Sequence, residues 1–355
     1  MKPHHIAASA LDAWVRAIFT AAGSTGDEPA IMAEHLVTAN LMGHDSHGVI
    51  RVPKYIAWLR AGEVLANRTP TIAIDSGALA VIDGNFGYGQ VTGRFAMDLA
   101  IARARAHGMA VIGIRNAGHL GRIGAWAEQL ALAGLVSVHF VNTSGYGILV
   151  APHGGSDRRL SANPVAAGAP GPHGPLVLDI ATSATAEGKI QLARNKRERL
   201  PEGIMLDGAG QPTRDPEKFY ATPPGAILPF GAHKGSGLSF FCEILAGSLT
   251  GGASSHPANP TAHRLVNNMM TIAFNPEALS GAQNVAADIT RLCTWVQASP
   301  PIGADGAVLL PGEIESRTRD TRLRDGIPLD GETLRQLDAV SKDLDIPLLP
   351  AVEDA

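Results

Sequence analysis

Leu11, Val15, Ile18 and Phe19 recur at helical spacing between polar positions, which predicts an amphipathic helix from Ile6 to Ala22 that Gly23 ends. A second helix is predicted from about Asp27 to Met42, with acidic residues in its first turn. A third starts near Val49 and runs past Tyr55, with Pro53 tolerated in its first turn or so. The period then shortens. Thr71 to Ile74 and Ala78 to Ile82 read as strands around the turn Asp75-Ser76-Gly77. A helix from Val91 to His107 follows, and Met109 to Ile114 is a strand by its β-branched content. Ile123, Trp126, Ala127 and Leu130 share one helical face, and Leu135 to Val141 is again a strand.

Further on, Leu176 to Ile180 reads as a buried strand, and Asn195 to Pro224 as a polar surface excursion rich in turns. An apolar helix runs to about Gly247, a flexible loop spans Gly251 to Pro260, and Thr271 to Phe274 is a strand. Asn284 to Val296 is helical, Ile314 to Arg324 is a charged, solvated segment, and Leu334 to Leu344 is a last amphipathic helix before a frayed end. No internal repeat or low-complexity tract interrupts this order.

A chain of 355 residues implies two or three domains, or lobes of one subunit. The net charge of −4 argues against nucleic acid, which calls for a basic face. Cys242 and Cys293 lie in apolar surroundings and read as buried thiols, which fits a reducing compartment. Asp12 and Arg16 break the first apolar stretch, so it does not read as a signal peptide. No uncharged apolar run reaches the roughly 18 residues of a spanning helix. The expectation is a cytoplasmic protein with no membrane and no nucleic-acid partner.

The chemistry concentrates in Gly43-His44-Asp45-Ser46-His47-Gly48-Val49-Ile50-Arg51-Val52-Pro53-Lys54-Tyr55. Two glycines bracket the polar cluster and let the chain turn sharply. Arg51 and Tyr55 are four apart on one helical face, and His47 sits one turn earlier. A proton-active ring, a fixed cation and a phenol on one face could hold a small acid by its carboxylate. The plainer possibility is that Asp45 and Ser46 cap a helix and Arg51 is solvated.

Asn116 to Gly124 places His119 at a strand-to-helix corner, where a side chain faces a cleft. There it could exchange a proton or merely cap the helix. The glycines at 84, 87, 89 and 93 miss the dinucleotide fingerprint G-x-G-x-x-G, and no P-loop lysine follows. They are better read as a tight turn before a helix. Asn142-Thr143-Ser144 ends a strand, so its hydroxyls face a rim. Asp179-Ile180-Ala181-Thr182-Ser183 could approach a cofactor or cap a helix. Pro229 to Leu238 sets three glycines around Lys234, a close backbone approach with one cation that suits phosphate. A rival reading makes His44, Asp45, His47 and His119 metal ligands of a hydrolase or lyase, but no H-E-x-x-H pattern supports it.

Gly43 to Tyr55, Gly118 to Trp126, Asp179 to Ser183 and Pro229 to Gly237, in this order, resemble the type-2 malate/L-lactate dehydrogenase family. Pro311-Gly312-Glu313 with the arginine-rich stretch after it is a fifth, weaker match. That family also includes ureidoglycolate, sulfolactate and diketogulonate oxidoreductases and cyclic-imine reductases. The resemblance implies an α+β, non-Rossmann, three-layer subunit with a largely antiparallel sheet and a helical domain formed by both chain ends. Residues 1–70 plus 314–355 would form that domain, carrying Ser46, His47 and Arg51. Residues 71–313 would form the cofactor-binding region, with a subdomain around 120–180.

The resemblance also implies roles. His119 matches the acid/base of some members, and Ser46 with His47 that of others. Arg51 matches the arginine on the substrate carboxylate, and Tyr55 a tyrosine lining the pocket. Ser144, Asp179, Thr182, Ser183, Lys234, Gly235, Pro311, Gly312 and Glu313 lie where relatives bind NAD or NADP. A homodimer acting on a small 2-hydroxy or 2-oxo acid is expected, with no metal. Reduction of a cyclic imino acid is the alternative within the class. Ser236, and Ser161-Ala162-Asn163, depart from the family's usual residues.

Overall fold

The computed structural model describes residues 4–261, 263–303 and 306–349, apart from the side chains of Asn195 and Lys196. In chain order come β1 (His4–Ile6), α1 (Ala8–Ala21), α2 (Glu28–Leu41), α3 (Val52–Arg60), β2 (Thr71–Ser76), β3 (Leu79–Asp83), α4 (Gly89–His107), β4 (Met109–Ala117), α5 (Gly124–Leu132) and β5 (Val136–Ser144). Next are β6 (Val165–Gly171), β7 (Gly174–Ile180), α6 (Glu187–Lys196), β8 (Met205–Leu206), β9 (Pro212–Thr213), α7 (Glu217–Tyr220) and β10 (Ala226–Ile227). The chain closes with α8 (His233–Cys242), β11 (Val266–Phe274), α9 (Ala282–Gln297), α10 (Glu313–Asp325), β12 (Ile327–Leu329) and α11 (Gly331–Asp343).

A seven-stranded sheet in the order β2-β3-β4-β11-β5-β6-β7 organises the middle of the chain. Every neighbouring pair is antiparallel except β3 with β4. Strand alternation separates its faces. Ile112 and Ile114 share a core with Ala96, Met97, Ala100 and Ala104 of α4 and with Trp126, Ala127 and Leu130 of α5. On the other face, a side chain at Gly113 would lie 3.1 Å from Thr250, beyond the π-helical continuation of α8 (Glu243–Ser248). The result is three layers, helix on sheet on helix, as expected. A nearly antiparallel sheet cannot carry the Rossmann crevice, which needs parallel strands.

A second core joins the chain's extremities. Leu11, Val15, Ile18 and Phe19 of α1 pack with Met32 and Leu36 of α2, Tyr55 and Ile56 of α3, Ile327 and Leu329 of β12, and Leu337 and Val340 of α11. β1 pairs with β12, which ties the two ends together. Residues 1–3, and the closing residues 350–355 that were expected to fray, lie outside the described residues.

Three expectations need correction. β7 is not a buried strand: it is the sheet's edge, and Leu178 is exposed. The excursion from Asn195 to Pro224 is not only turns. With β10 it forms a small sheet over a core of Ile190, Leu200, Met205, Phe219 and Ile227. Its strands are two residues long, too short to show a period. β11 begins at Val266 rather than Thr271, because Asn267 and Asn268 are buried on the central strand and bonded by side chain.

Candidate active site

The polar cluster after α2 is built from Asn40, in the last turn of that helix. Its Oδ1 accepts from the Val49 amide at 2.8 Å, and its Nδ2 donates to Asp45 Oδ1 at 2.7 Å. One buried amide thus spans the 3-10 turn Asp45–His47 from both ends. Gly48 is required by that span, since a Cβ there would sit 2.1 Å from Asn40 Oδ1. From the far end of the chain, Arg322 of α10 places both terminal nitrogens on the Asp45 carboxylate, at 2.6 and 3.0 Å. His44 lies 3.5 Å from Glu315 of the same helix. A bidentate pair of this kind fixes orientation as well as charge.

The turn presents Ser46, His47 and Arg51. Ser46 Oγ lies 3.0 Å from His47 Nδ1, and Arg51 Nε donates to the Ser46 carbonyl. Among the described residues no carboxylate pairs with Arg51, so the rest of its fork remains for an anion. The start of α6 packs here too: a Cβ on Gly188 would lie 3.4 Å from Ser46 Cβ. No spacing along the chain signals that approach.

His119 comes from the β4–α5 connection. The Leu120 amide donates to Asn267 Oδ1 at 2.9 Å, and the Arg122 amide to His35 Nε2 at 3.0 Å. Gly89 allows the loop to press on α4, because a Cβ there would lie 2.3 Å from the His119 carbonyl. The His119 ring stacks on His47 with centroids 5.6 Å apart and planes 12° off parallel. Tyr55 Oη lies 2.6 Å from His119 Nδ1, and Gln90 Nε2 donates to Tyr55 Oη at 3.0 Å. Tyr55 is buried, so it stands behind the imidazole rather than on an open pocket wall. Sequence reading missed Gln90. The signal was a polar residue on the otherwise apolar or small buried face of α4.

Burial, reinforced by the Arg51 charge, holds His47 down at about 3 and His119 well below the ordinary imidazole value. Both rings are therefore neutral at physiological pH. Burial pushes the Tyr55 phenol up to about 12, against the opposing pull of Arg51 and the Gln90 hydrogen bond. The cluster is a set of neutral, hydrogen-bonded proton-active groups beside a fixed cation.

The remaining expected residues form two other groups. Thr182, Ser183, Lys234 and Gly235 meet where Phe230 N donates to the Thr182 carbonyl at 3.0 Å and Ser183 pairs with Pro229. The Thr182 hydroxyl is bound to the Ala162 carbonyl at 2.9 Å and that of Ser183 to the Thr185 carbonyl at 2.8 Å. Gly235 is needed for packing, since its Cβ would sit 2.3 Å from the Phe230 carbonyl. Lys234 is exposed at the start of α8, beside a cavity of about 430 Å³ lined by His153, Ala184 and Pro229 to Ala232. No hydrogen bond among the described residues joins this group to the imidazoles.

The other group borders a cavity of about 410 Å³ between β7 and α10. Asp179, Pro311, Gly312, Glu313, Arg122, His44, Arg317 and Arg319 are on its wall. Asp179 Oδ2 accepts from the Gly124 amide at 2.8 Å, at the start of α5. Glu313 accepts from Leu310 N at 3.1 Å and from Gln297 Nε2 at 3.0 Å, so its carboxylate braces the turn before α10. Ser144 ends β5 fully buried, its hydroxyl without a partner, and Arg122 Nε is likewise buried and unpaired. The metal-ligand reading finds no support in this geometry. Asp45 is occupied by Arg322, and no group of three or more His, Cys, Asp or Glu converges among the described residues. Nor, among those residues, is any helix long and apolar enough to cross a membrane.

Fold and site together define a non-Rossmann α+β subunit that sets neutral imidazoles beside a guanidinium with no carboxylate partner among the described residues, a setting suited to proton transfer on a small acid. Residues 6–338 match the malate/L-lactate dehydrogenase family model. The chain is 40% identical over 349 residues to hydroxycarboxylate dehydrogenase B of Escherichia coli strain K12, covering 97% of this chain and 95% of that one. It is 34% identical to a Delta(1)-pyrroline-2-carboxylate/Delta(1)-piperideine-2-carboxylate reductase of Pseudomonas putida, over 92% of this chain and 94% of the relative. The solved sulfolactate dehydrogenase of Methanocaldococcus jannaschii superposes with a TM-score of 0.88 at 32% identity, covering 98% of this chain and all of that one (100%). The chain belongs to the malate/L-lactate dehydrogenase family and is an oxidoreductase of that kind, which bears out the resemblance carried by its motifs.

Proposed function

We propose that the protein interconverts a small 2-hydroxy acid and its 2-oxo acid with NAD or NADP, as a homodimer. The observation that carries this reading is the 2.6 Å contact of Tyr55 Oη with His119 Nδ1 beside the unpaired Arg51 fork. Arg51 grips the substrate carboxylate through two parallel hydrogen bonds and so fixes the neighbouring carbon. Tyr55 donates to His119 Nδ1, which leaves the ring hydrogen on Nε2, facing the substrate oxygen. In reduction His119 gives that proton, Tyr55 replaces it at Nδ1, and the phenol recovers a proton from water. Ser46 and His47, the latter stacked on His119, are the second acid/base candidates.

The nicotinamide cofactor, when bound, supplies or accepts the hydride. The residues present fit it. Two buried polar atoms, Ser144 Oγ and Arg122 Nε, await partners. The cavity between β7 and α10 lies within the roughly 300–1000 Å³ of small-molecule sites and offers arginines for phosphate. In this reading Asp179, Pro311, Gly312, Glu313 and Arg122 hold one half of the dinucleotide. Ser144, Thr182, Ser183, Lys234 and Gly235 hold the other, with Thr182, Ser183 and Gly235 shaping the backbone rather than donating hydroxyls. The exposed apolar face of α9, with Leu292 and Trp295, supports a second copy as partner, which sedimentation equilibrium tests.

Cyclic imino-acid reduction is the second reading, favoured by the Pseudomonas putida relative and by the same carboxylate anchor. Titration with NADH and NADPH, then a panel of 2-oxo acids against cyclic imines followed by cofactor fluorescence, separates the two. Turnover of neither class would overturn the proposal.

A further inference from the structure

The end of the relay is Gln90, a residue that no motif marked. It is fully buried on α4, its Nε2 is 3.0 Å from Tyr55 Oη, and its Oε1 is buried without a hydrogen-bond partner. A carboxamide carries a donor and an acceptor at equivalent positions, so a half-turn of the group exchanges them. An unpartnered carbonyl beside a phenol that must both accept and donate is therefore a choice of proton direction rather than idle packing.

We infer that Gln90 is a positioning residue that sets which nitrogen of His119 bears the proton, and thereby which direction of the reaction the site is poised for. With Nε2 turned to Tyr55, the phenol oxygen accepts from Gln90 and its hydrogen goes to His119 Nδ1. The imidazole hydrogen then sits on Nε2, ready for the oxygen of a 2-oxo acid. With Oε1 turned to Tyr55, the phenol donates to Gln90, His119 Nδ1–H donates to the phenol, and Nε2 offers a lone pair to a hydroxy acid. Both arrangements hold one proton on the imidazole and one on the phenol, so no charge is created in this buried place. The 3.0 Å contact of Gln90 Nε2 with Tyr55 Oη corresponds to the first arrangement, which we read as poised for reduction. Desolvation, and after it the Arg51 charge, opposes a proton gain on His119, which keeps the two neutral tautomers as the accessible states.

The inference rests on His119 as the proton-transfer group, and its test reads the tautomer apart from turnover. The enzyme is labelled with ¹⁵N-histidine, and the His119 nitrogens are assigned by their loss in His119→Gln. The native enzyme is expected to show Nε2–H across roughly pH 6 to 10. In Gln90→Glu the carboxyl can donate when neutral and can only accept when ionised. Its His119 signal should pass from Nε2–H to Nδ1–H as the pH rises. Reductive kcat should fall about 10–100-fold over the same range, with KM for the 2-oxo acid unchanged. Gln90→Met, which offers neither function, should show both tautomers at every pH.

A single Nε2–H tautomer in both variants, with native near-ultraviolet dichroism, would overturn the inference. If the tautomer switches in Gln90→Glu while His119→Ala keeps native turnover, the relay stands and the proposed function of His119 falls. If His119→Ala loses turnover and the tautomer never switches, the reverse holds.

Discussion

His119 and His139 are two neutral imidazoles of the same sheet region with opposite fates. His139 lies within β5, where Ser137 Oγ is 3.0 Å from its Nε2 and Thr271 Oγ1 of β11 is 2.9 Å from its Nδ1. Both nitrogens are satisfied, and burial holds the ring down at about 3. His119 has one nitrogen bound to Tyr55 and, among the described residues, no protein partner on the other. Neutrality is shared, so it does not by itself mark a catalytic ring. What differs is the unspent nitrogen, the adjacent free cation and a loop position that leaves the ring half-buried.

The sharpest break of this comparison is truncation. His119→Ala should lower kcat about 10²–10⁴-fold with native dichroism, as expected for a lost general acid. Steady-state kinetics with a 2-oxo acid decides it, and near-native turnover would end the assignment.

Acid is next in size. His35 and His139 are held at about 3 when folded, but take up protons near 6.5 when unfolded. Between these values the unfolded state binds more protons, so stability is lost as the pH falls through that window. From pH 7 to pH 5 each ring should cost roughly 2 kcal/mol, read from urea midpoints. A flat stability profile over that range would mean that the rings are not held neutral.

Arg51→Gln should raise KM for the 2-oxo acid and lower kcat/KM by about 10- to 150-fold, the loss of a hydrogen bond to a charged group. Cofactor affinity, measured by fluorescence titration, should not change. The smallest effect separates the two rings: His139→Val leaves two buried hydroxyls unpaired and should destabilise by about 1–3 kcal/mol. Turnover of the folded enzyme should stay native. A loss of kcat in this variant would mean that the two histidines are not functionally distinct.

Much of the fold was legible because burial writes a period into long elements. α1, α2, α4 and α5 were found to within a few residues, since each turns an apolar or small-residue face to a core, and α9 from its apolar spacing although that face is exposed. β8, β9 and β10 were not, because two residues cannot show alternation. The N-terminal half of β11 was missed because Asn267 and Asn268 look like a turn, although their amides bond to Thr143 and Asn142 across the sheet. In the site, His47, Arg51 and Tyr55 were legible from spacing on one turn and helix, and His119 from its corner. Gln90, the lock of Arg322 on Asp45 and the approach of Gly188 to Ser46 were not.

By itself, then, the chain determined its helices and longer strands, its carrier motifs and the chemical types available to a site. Local spacing suffices for these, because neighbours along the backbone are neighbours in space. Tertiary structure alone decided which polar groups remain unspent. Thr182, Ser183, Asp179 and Glu313 give their hydrogen-bonding capacity to nearby backbone or amide groups, whereas Arg51 and His119 keep theirs. Hydrogen-bond saturation depends on groups brought together from distant parts of the chain, and no sequence interval encodes it.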